Sequence, residues 1–167
     1  EGRKKKFEED VETWKAEVER IDKGCVNGEA IWAAPDFNDA AWKSMKVPGL
    51  MQEQDLPGFS GLVWFRKTID IPAGWAGKDL ILNLGVIDDN DFTYFNGIQI
   101  GHTEGWMAPR SYKIPKELVK KGKAVIAVRV MDTGGTGGIN GSPESISLHL
   151  SDTEAIQLAG NWKYQVS

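Results

Sequence analysis

The residues able to do chemistry in this sequence are two histidines, one cysteine, a short acidic run and a few loop tryptophans. Serine hydrolysis is the first chemistry to weigh. A G-x-S-x-G elbow is missing, and the nearest string, Gly58-Phe59-Ser60-Gly61, lacks its spacing. Cys25 has no histidine near it in sequence and nothing strongly basic to lower its thiol pKa, so it reads as a small residue at a helix-to-strand junction. His149 falls on the polar side of an alternating stretch and reads as a solvent-facing or interface residue. His102 ends a strand beside polar and aromatic groups and is a candidate ligand-binding residue. Two histidines without a cysteine or H-x-x-E-H-like neighbour do not make a zinc site. No catalytic residue is assigned to this chain alone, and no metal.

Asp88, Asp89 and Asp91 put three like charges into four residues, which must be relieved by solvent, an arginine or a cation. The spacing does not match an EF-hand, which needs a glycine at its sixth position and a distal glutamate. The run therefore reads first as a strand-top turn with solvated or arginine-paired carboxylates. Ligand contact through Asp89 and Asp91, or a structural calcium, are the alternatives; no other cofactor is expected. Residues 134–141 (GGTGGING) lack the Lys-Ser/Thr pair, the glycine spacing and the following helix of a phosphate loop. They read as a turn-rich loop following Arg129 and Asp132. Trp75 and Trp106 lie among glycines and polar residues, where an exposed indole can stack on the C–H face of a sugar ring. Around the second, residues 102–112 (HTEGWMAPRSY) bring His102, Glu104, Trp106 and Arg110 together. Trp14, Trp42 and Trp64 belong to helix or strand patterns and read as packing residues.

Positioning these groups requires a β framework. Residues 62–71, 79–84, 124–131 and 145–150 alternate apolar and polar, and 92–95 and 98–102 flank Asn96-Gly97, a strong hairpin signal. Ile126, Val128 and Val130 share one face, and so do Ile146, Leu148 and Leu150, which predicts antiparallel sheets buried on one side. Residues 162–166 predict a last strand and 116–121 (KELVKK) a short helix. Phe7, Val11, Trp14, Val18 and Ile21 line one stripe of an N-terminal amphipathic helix that must pack on this sheet or on a partner. Crossover helices of a Rossmann-like fold are missing. The fold class is mainly β, an antiparallel jelly-roll β-sandwich.

Length and composition agree. At 167 residues the chain can bury a core without disulfides, and its single cysteine supplies none. With 20 basic against 24 acidic side chains, the net charge of −4 offers no field for nucleic acid or an anionic membrane. No apolar run approaches the ~18 residues of a membrane span. Glu1-Gly2-Arg3 carries no signal-peptide pattern and reads as the start of a chain processed or cut from something longer.

Several motifs together resemble one domain type: Val63-Trp64-Phe65-Arg66-Lys67, Ile71-Pro72 with Trp75, Leu84-Gly85-Val86-Ile87-Asp88-Asp89, and Thr93-Tyr94-Phe95-Asn96-Gly97 with Ile100-Gly101. Arg110-Ser111-Tyr112 with Ile114-Pro115, and Ala127-Val128-Arg129-Val130 with Asp132, belong to the same pattern. They resemble the galactose-binding-like jelly roll of sialate O-acetylesterases from carbohydrate-degrading bacteria. More distantly they are similar to the sugar-binding domain of the β-galactosidase and β-glucuronidase family. The resemblance implies a helix or linker over 1–24, the jelly roll over 25–155, and a strand or linker over 156–167 leading back to a parent chain. It implies an SGNH-type hydrolase domain as partner, carbohydrate as a second partner, and a periplasmic or secreted location. The Gly-Asp-Ser-like and Asp-x-x-His blocks of that hydrolase do not occur here, so the chain is expected to be an accessory domain. In such enzymes one end of the jelly roll walls the substrate cleft. Trp106, Arg110, Asp132, His102, Asp89 and Asp91 are the expected ligand-facing residues, with Trp106, Arg110 and Asp132 at one end. A domain that docks a partner through its helix stripe, without touching sugar, is a further reading.

Overall fold

The computed structural model describes residues 13, 22–51, 54, 61–132 and 137–167. The expected N-terminal helix falls almost wholly outside them. The described chain is an antiparallel β-sandwich. One sheet contains β3 (Lys43–Val47), β4 (Gly61–Ile71), β6 (Asn90–Phe95), β7 (Ile98–Glu104), β9 (Gly122–Asp132) and β13 (Gly160–Val166), ordered β3-β13-β4-β9-β6-β7. In the other, β5 (Leu80–Asp88) pairs with β8 (Pro109–Ile114), β10 (Gly138–Asn140) and β11 (Ile146–His149), and β11 carries β12 (Ala155–Gln157). A small ribbon of β1 (Cys25–Val26) and β2 (Glu29–Ala30) lies ahead of both.

Alternation explains the core. Val63 and Phe65 of β4, Ile126, Val128 and Val130 of β9, and Trp162 and Tyr164 of β13 meet Leu80, Leu82, Leu84, Tyr112, Ile114, Ile146 and Leu148 of the other sheet. The last strand expected over 162–166 is β13, which lies between β3 and β4 in the larger sheet, and β12 spans Ala155–Gln157. Residues 116–121 form only a three-residue 3-10 turn, Lys116–Leu118, because six residues leave most helical carbonyls without a partner.

One-sided burial does not hold for the larger sheet. All residues from Ala124 to Asp132 are buried, as are Gly61 to Arg66. The second face is covered by residues 22–42, which fold across it. Trp32 meets Trp42 edge-on at 5.1 Å, Phe37 lies 5.6 Å from Trp42, and Trp64 stacks on Tyr94 at 5.7 Å. Two arginines lie beneath this layer. Arg66 donates to Asp39 (2.9 Å) and to the carbonyls of Trp32 (2.5 Å), Ala34 (3.0 Å) and Phe37 (3.3 Å). Arg129 donates to Asp22 at 2.6 Å, and Asp22 also accepts from the Trp64 indole (3.0 Å), the Gly24 amide (2.8 Å) and the Ser167 hydroxyl (2.5 Å). Gly24 is required there, since a Cβ would lie 2.5 Å from the Trp64 ring.

Burial by itself would raise the Asp22 pKa. Hydrogen bonds from Ser167, Gly24 and Trp64, with the Arg129 charge, outweigh burial and hold it below the ordinary carboxylate range. A depressed folded-state pKa contributes stability above the unfolded value of about 3.9, and that stability is lost as pH falls through the folded value. Asp22→Ala is expected to cost about 3–5 kcal/mol in urea denaturation at neutral pH, because it leaves the Arg129 charge buried without its partner. The gap to wild type should narrow below pH 4, and a gap independent of pH would refute the assignment.

Candidate functional site

The candidate site is the end of the sandwich where β6 starts and β7 and β9 finish. β8 alternates exposed and buried along its length, so Arg110, Tyr112 and Ile114 point between the sheets. Arg110 is 1% exposed and Asp91 of β6 is likewise 1% exposed. They form an ion pair with Nε 2.8 Å from Oδ1. Asp91 also accepts from Thr93 Oγ1 at 2.7 Å and from Tyr112 Oη at 2.8 Å. Burial pushes the Tyr112 phenol well above its ordinary pKa, so it stays protonated and donates to Asp91, while the Thr103 hydroxyl lies 2.7 Å from its oxygen.

The rest of the Arg110 guanidinium goes to backbone. Nη1 donates to the carbonyls of Gly105 and Ala108, both at 2.6 Å, and Nη2 to those of Asp89 (3.0 Å) and Thr103 (3.2 Å). Each of the five N–H donors of an arginine thus has an acceptor. Residues 105–108 are pinned at both ends, helped by the Gly105 amide on Asn90 Oδ1 at 3.2 Å, with Gly105 at φ +100, where glycine is favoured. What this bracing presents is the pair between the pins: Trp106 is 60% exposed and Met107 is 70% exposed.

Of the expected ligand-facing residues, Trp106 alone is presented by this loop. Arg110 and Asp91 are buried and paired with each other, and the Arg110 bonds to the loop carbonyls position the tip. The arginine-paired reading of the acidic run fits Asp91. Asp89 is half-buried, its carbonyl accepts from Arg110 and its amide donates to Met131 O at 3.0 Å. Asp132, at the end of β9, is fully buried, and a Cβ on Gly137 would press on its carboxylate. Trp106, Arg110 and Asp132 do share one end, where Asp89 bonds both Arg110 and Met131, the neighbour of Asp132. His102 stands apart from the cluster, exposed on the outer face of β7 and stacked on Phe92 at 4.1 Å. Trp75, the other indole expected in the open, packs in the core.

Met107 was not singled out from the sequence, although its neighbour was. Nothing in the letters tells a presented methionine from a packed one. Ser147 Oγ and His149 Nε2 of β11 are 2.6 Å apart, but the serine is 1% exposed and shielded from any substrate. Among the described residues no group of three His, Cys, Asp or Glu side chains is placed to hold a metal ion.

No protein-family model matches the chain. Among solved structures it is similar to β-glucuronidase from Ruminococcus gnavus, with 25% identity over 53% of this chain and 16% of that one and a TM-score of 0.49. The same enzyme in complex with D-glucuronic acid gives the same identity and shares, also at a TM-score of 0.49. So does its complex with D-glucaro 1,5-lactone. The chain spans about a sixth of the length of these proteins, 16% in each case.

Arg110→Lys keeps the charge beside Asp91 but cannot reach four separate carbonyls. The expected result is a folded protein whose amides at 105–108 exchange with solvent at least tenfold faster than in wild type. Unchanged protection there would show that the loop does not depend on the guanidinium.

Proposed function

We propose that this chain is a non-catalytic, carbohydrate-associated β-sandwich of a carbohydrate-active hydrolase, and that its Trp106–Met107 tip walls the substrate cleft of a neighbouring catalytic domain. The observation that carries this reading is the exposed indole on a loop pinned by a buried ion pair. A rigid aromatic surface offers the apolar contact that a sugar ring accepts, and a loop already held in place loses little entropy on contact. Loops on a rigid sandwich are also where binding groups are commonly placed.

The sequence motifs favour an esterase of the sialate O-acetylesterase type as parent, with an SGNH-type hydrolase domain as partner and a periplasmic or secreted setting. A glycoside hydrolase of the β-galactosidase and β-glucuronidase family stands beside it as parent, on the more distant similarity of the same motifs. A second reading is a protein-docking module without sugar contact. Met107 favours it, because an exposed thioether packs on a protein surface as readily as an indole packs on a sugar.

Titrating the chain with sialic acid, galactose and their acetylated forms separates these readings. A sugar-facing tip gives saturable changes at the Trp106 indole that Trp106→Ala abolishes. A structural tip gives none, while Trp106→Ala still lowers kcat/KM of the longer enzyme about tenfold, the size of about 1.4 kcal/mol of lost contact. Ester hydrolysis by the isolated chain, or an enzyme indifferent to Trp106→Ala, would overturn the proposal.

A further inference from the structure

A cavity lies at the opposite end of β6 and β7 from the Trp106 tip. It is a cleft of about 840 Å³ between residues 25–38 and the Asn96-Gly97 turn, within the size range of small-ligand sites. Its walls include Glu29, Asp36, Phe37, Tyr94, Asn96 and Gln99, and among the described residues no lysine, arginine or histidine lines it. Arg66, below the covering segment, is paired with Asp39 and committed to three carbonyls.

Both walls are preformed. Arg66 fixes the covering segment from beneath. The turn is fixed by Asn96, whose amide donates to Val125 O at 2.9 Å and whose Oδ1 accepts from the Val125 amide at 2.8 Å. Gly97 sits close enough to Pro35 that a Cβ would lie 3.5 Å from its ring. Tyr94 lines this space. Its side chain is about nine-tenths buried, yet among the described residues its hydroxyl has no hydrogen-bond partner and no buried side-chain oxygen is left unsatisfied. The Tyr94 hydroxyl therefore meets solvent, and the cleft is the solvent space that Tyr94 borders.

We propose that this cleft binds a small saccharide carrying a protonated amine. The two carboxylates attract the ammonium, and the side-chain amides of Asn96 and Gln99 with the Tyr94 hydroxyl supply hydroxyl partners. The same lining repels an anionic sugar. This site is separate from the Trp106 tip and goes beyond the proposal made for it, so either can fail alone.

The test is an amide-resolved NMR titration of the full chain with glucosamine, glucose and glucuronate at pH 6.5 and low salt. Glucosamine should shift Glu29, Asp36, Tyr94 and residues 96–99 saturably and bind about tenfold more tightly than glucose, with glucuronate not binding. Those ratios are what two solvent-exposed carboxylates can supply, and they should shrink in ~0.3 M salt. Glu29→Gln with Asp36→Asn, both surface changes, should bring glucosamine down to the level of glucose. Tyr94→Phe, which keeps the packing, should weaken both sugars about fivefold. Equal binding of glucose or glucuronate, shifts confined to Trp106 and Met107, or no saturation by glucosamine would each overturn the proposal.

Discussion

A buried guanidinium is tolerated only when its N–H groups find acceptors, and this molecule is organised around that requirement. Arg66, Arg110 and Arg129 are all under one-tenth exposed. Arg66 and Arg129 reach out of a strand to a segment with little regular structure of its own, and Arg110 reaches from β8 to β6, to β7 and to the loop between β7 and β8. Arg66 gathers the carbonyls of Trp32, Ala34 and Phe37, Arg129 holds Asp22, and Arg110 ties residues 89, 103, 105 and 108 to one point. Lysine could not substitute, because a point charge on a flexible stem cannot address several carbonyls in fixed directions. The loops are stiff because their own carbonyls satisfy these cations.

The same requirement explains why the larger sheet is covered on both faces. Arg66 and Arg129 occupy outward positions of β4 and β9, in register with Ala127 and Trp64 respectively. An exposed outer face would leave them as ordinary surface charges. Folding residues 22–42 over that face instead provides carbonyls and carboxylates for the cations, buries Trp42 and Trp64 in a second apolar cluster, and packs Trp32 and Phe37 against it. Aromatic pairs of this kind contribute about 0.5–1.5 kcal/mol each beyond their burial. Packing and charge satisfaction support one another: the aromatics exclude the water that would compete for the guanidinium groups, and the guanidinium groups hold the backbone that carries the aromatics.

The strands were legible in the sequence because each alternates over several residues, and the Asn96-Gly97 turn because its chemistry is local. The covering layer was not. β1 and β2 are two residues each and carry no period, and arginine at an outward strand position spells the same pattern whether the face is wet or covered. Pro109–Ile114 was missed as a strand for a related reason: its alternation of Arg110, Tyr112 and Ile114 is polar where a core face is expected to be apolar. Arg110 looked like a ligand-binding group for the same cause. Its partner Asp91 lies 19 residues earlier on a different strand, and only the register of the sandwich brings the two together. Trp75 and Trp106 have similar neighbours in sequence. One packs in the core and the other is exposed, a difference the neighbouring letters do not carry.

The two ends of the β6–β7 hairpin thus do different work on one rigid element. β6 spans six residues, about 20 Å at ~3.3 Å per residue, from Asn90 beneath the Trp106 loop to Phe95 beside the Asn96 turn. No single small ligand can touch both ends. A larger partner can, and then the fixed spacing matters: two weak contacts on a rigid spacer combine only when the partner presents matching groups at that separation. At the centre, Phe92 lies between the Arg129 guanidinium at 5.3 Å and the His102 ring at 4.1 Å, and Arg129 is held in turn by Asp22. The hairpin is therefore secured along its length as well as at its ends. That makes the separation of the two surfaces a property of the fold, set by strand length and charge satisfaction, and independent of what either surface meets.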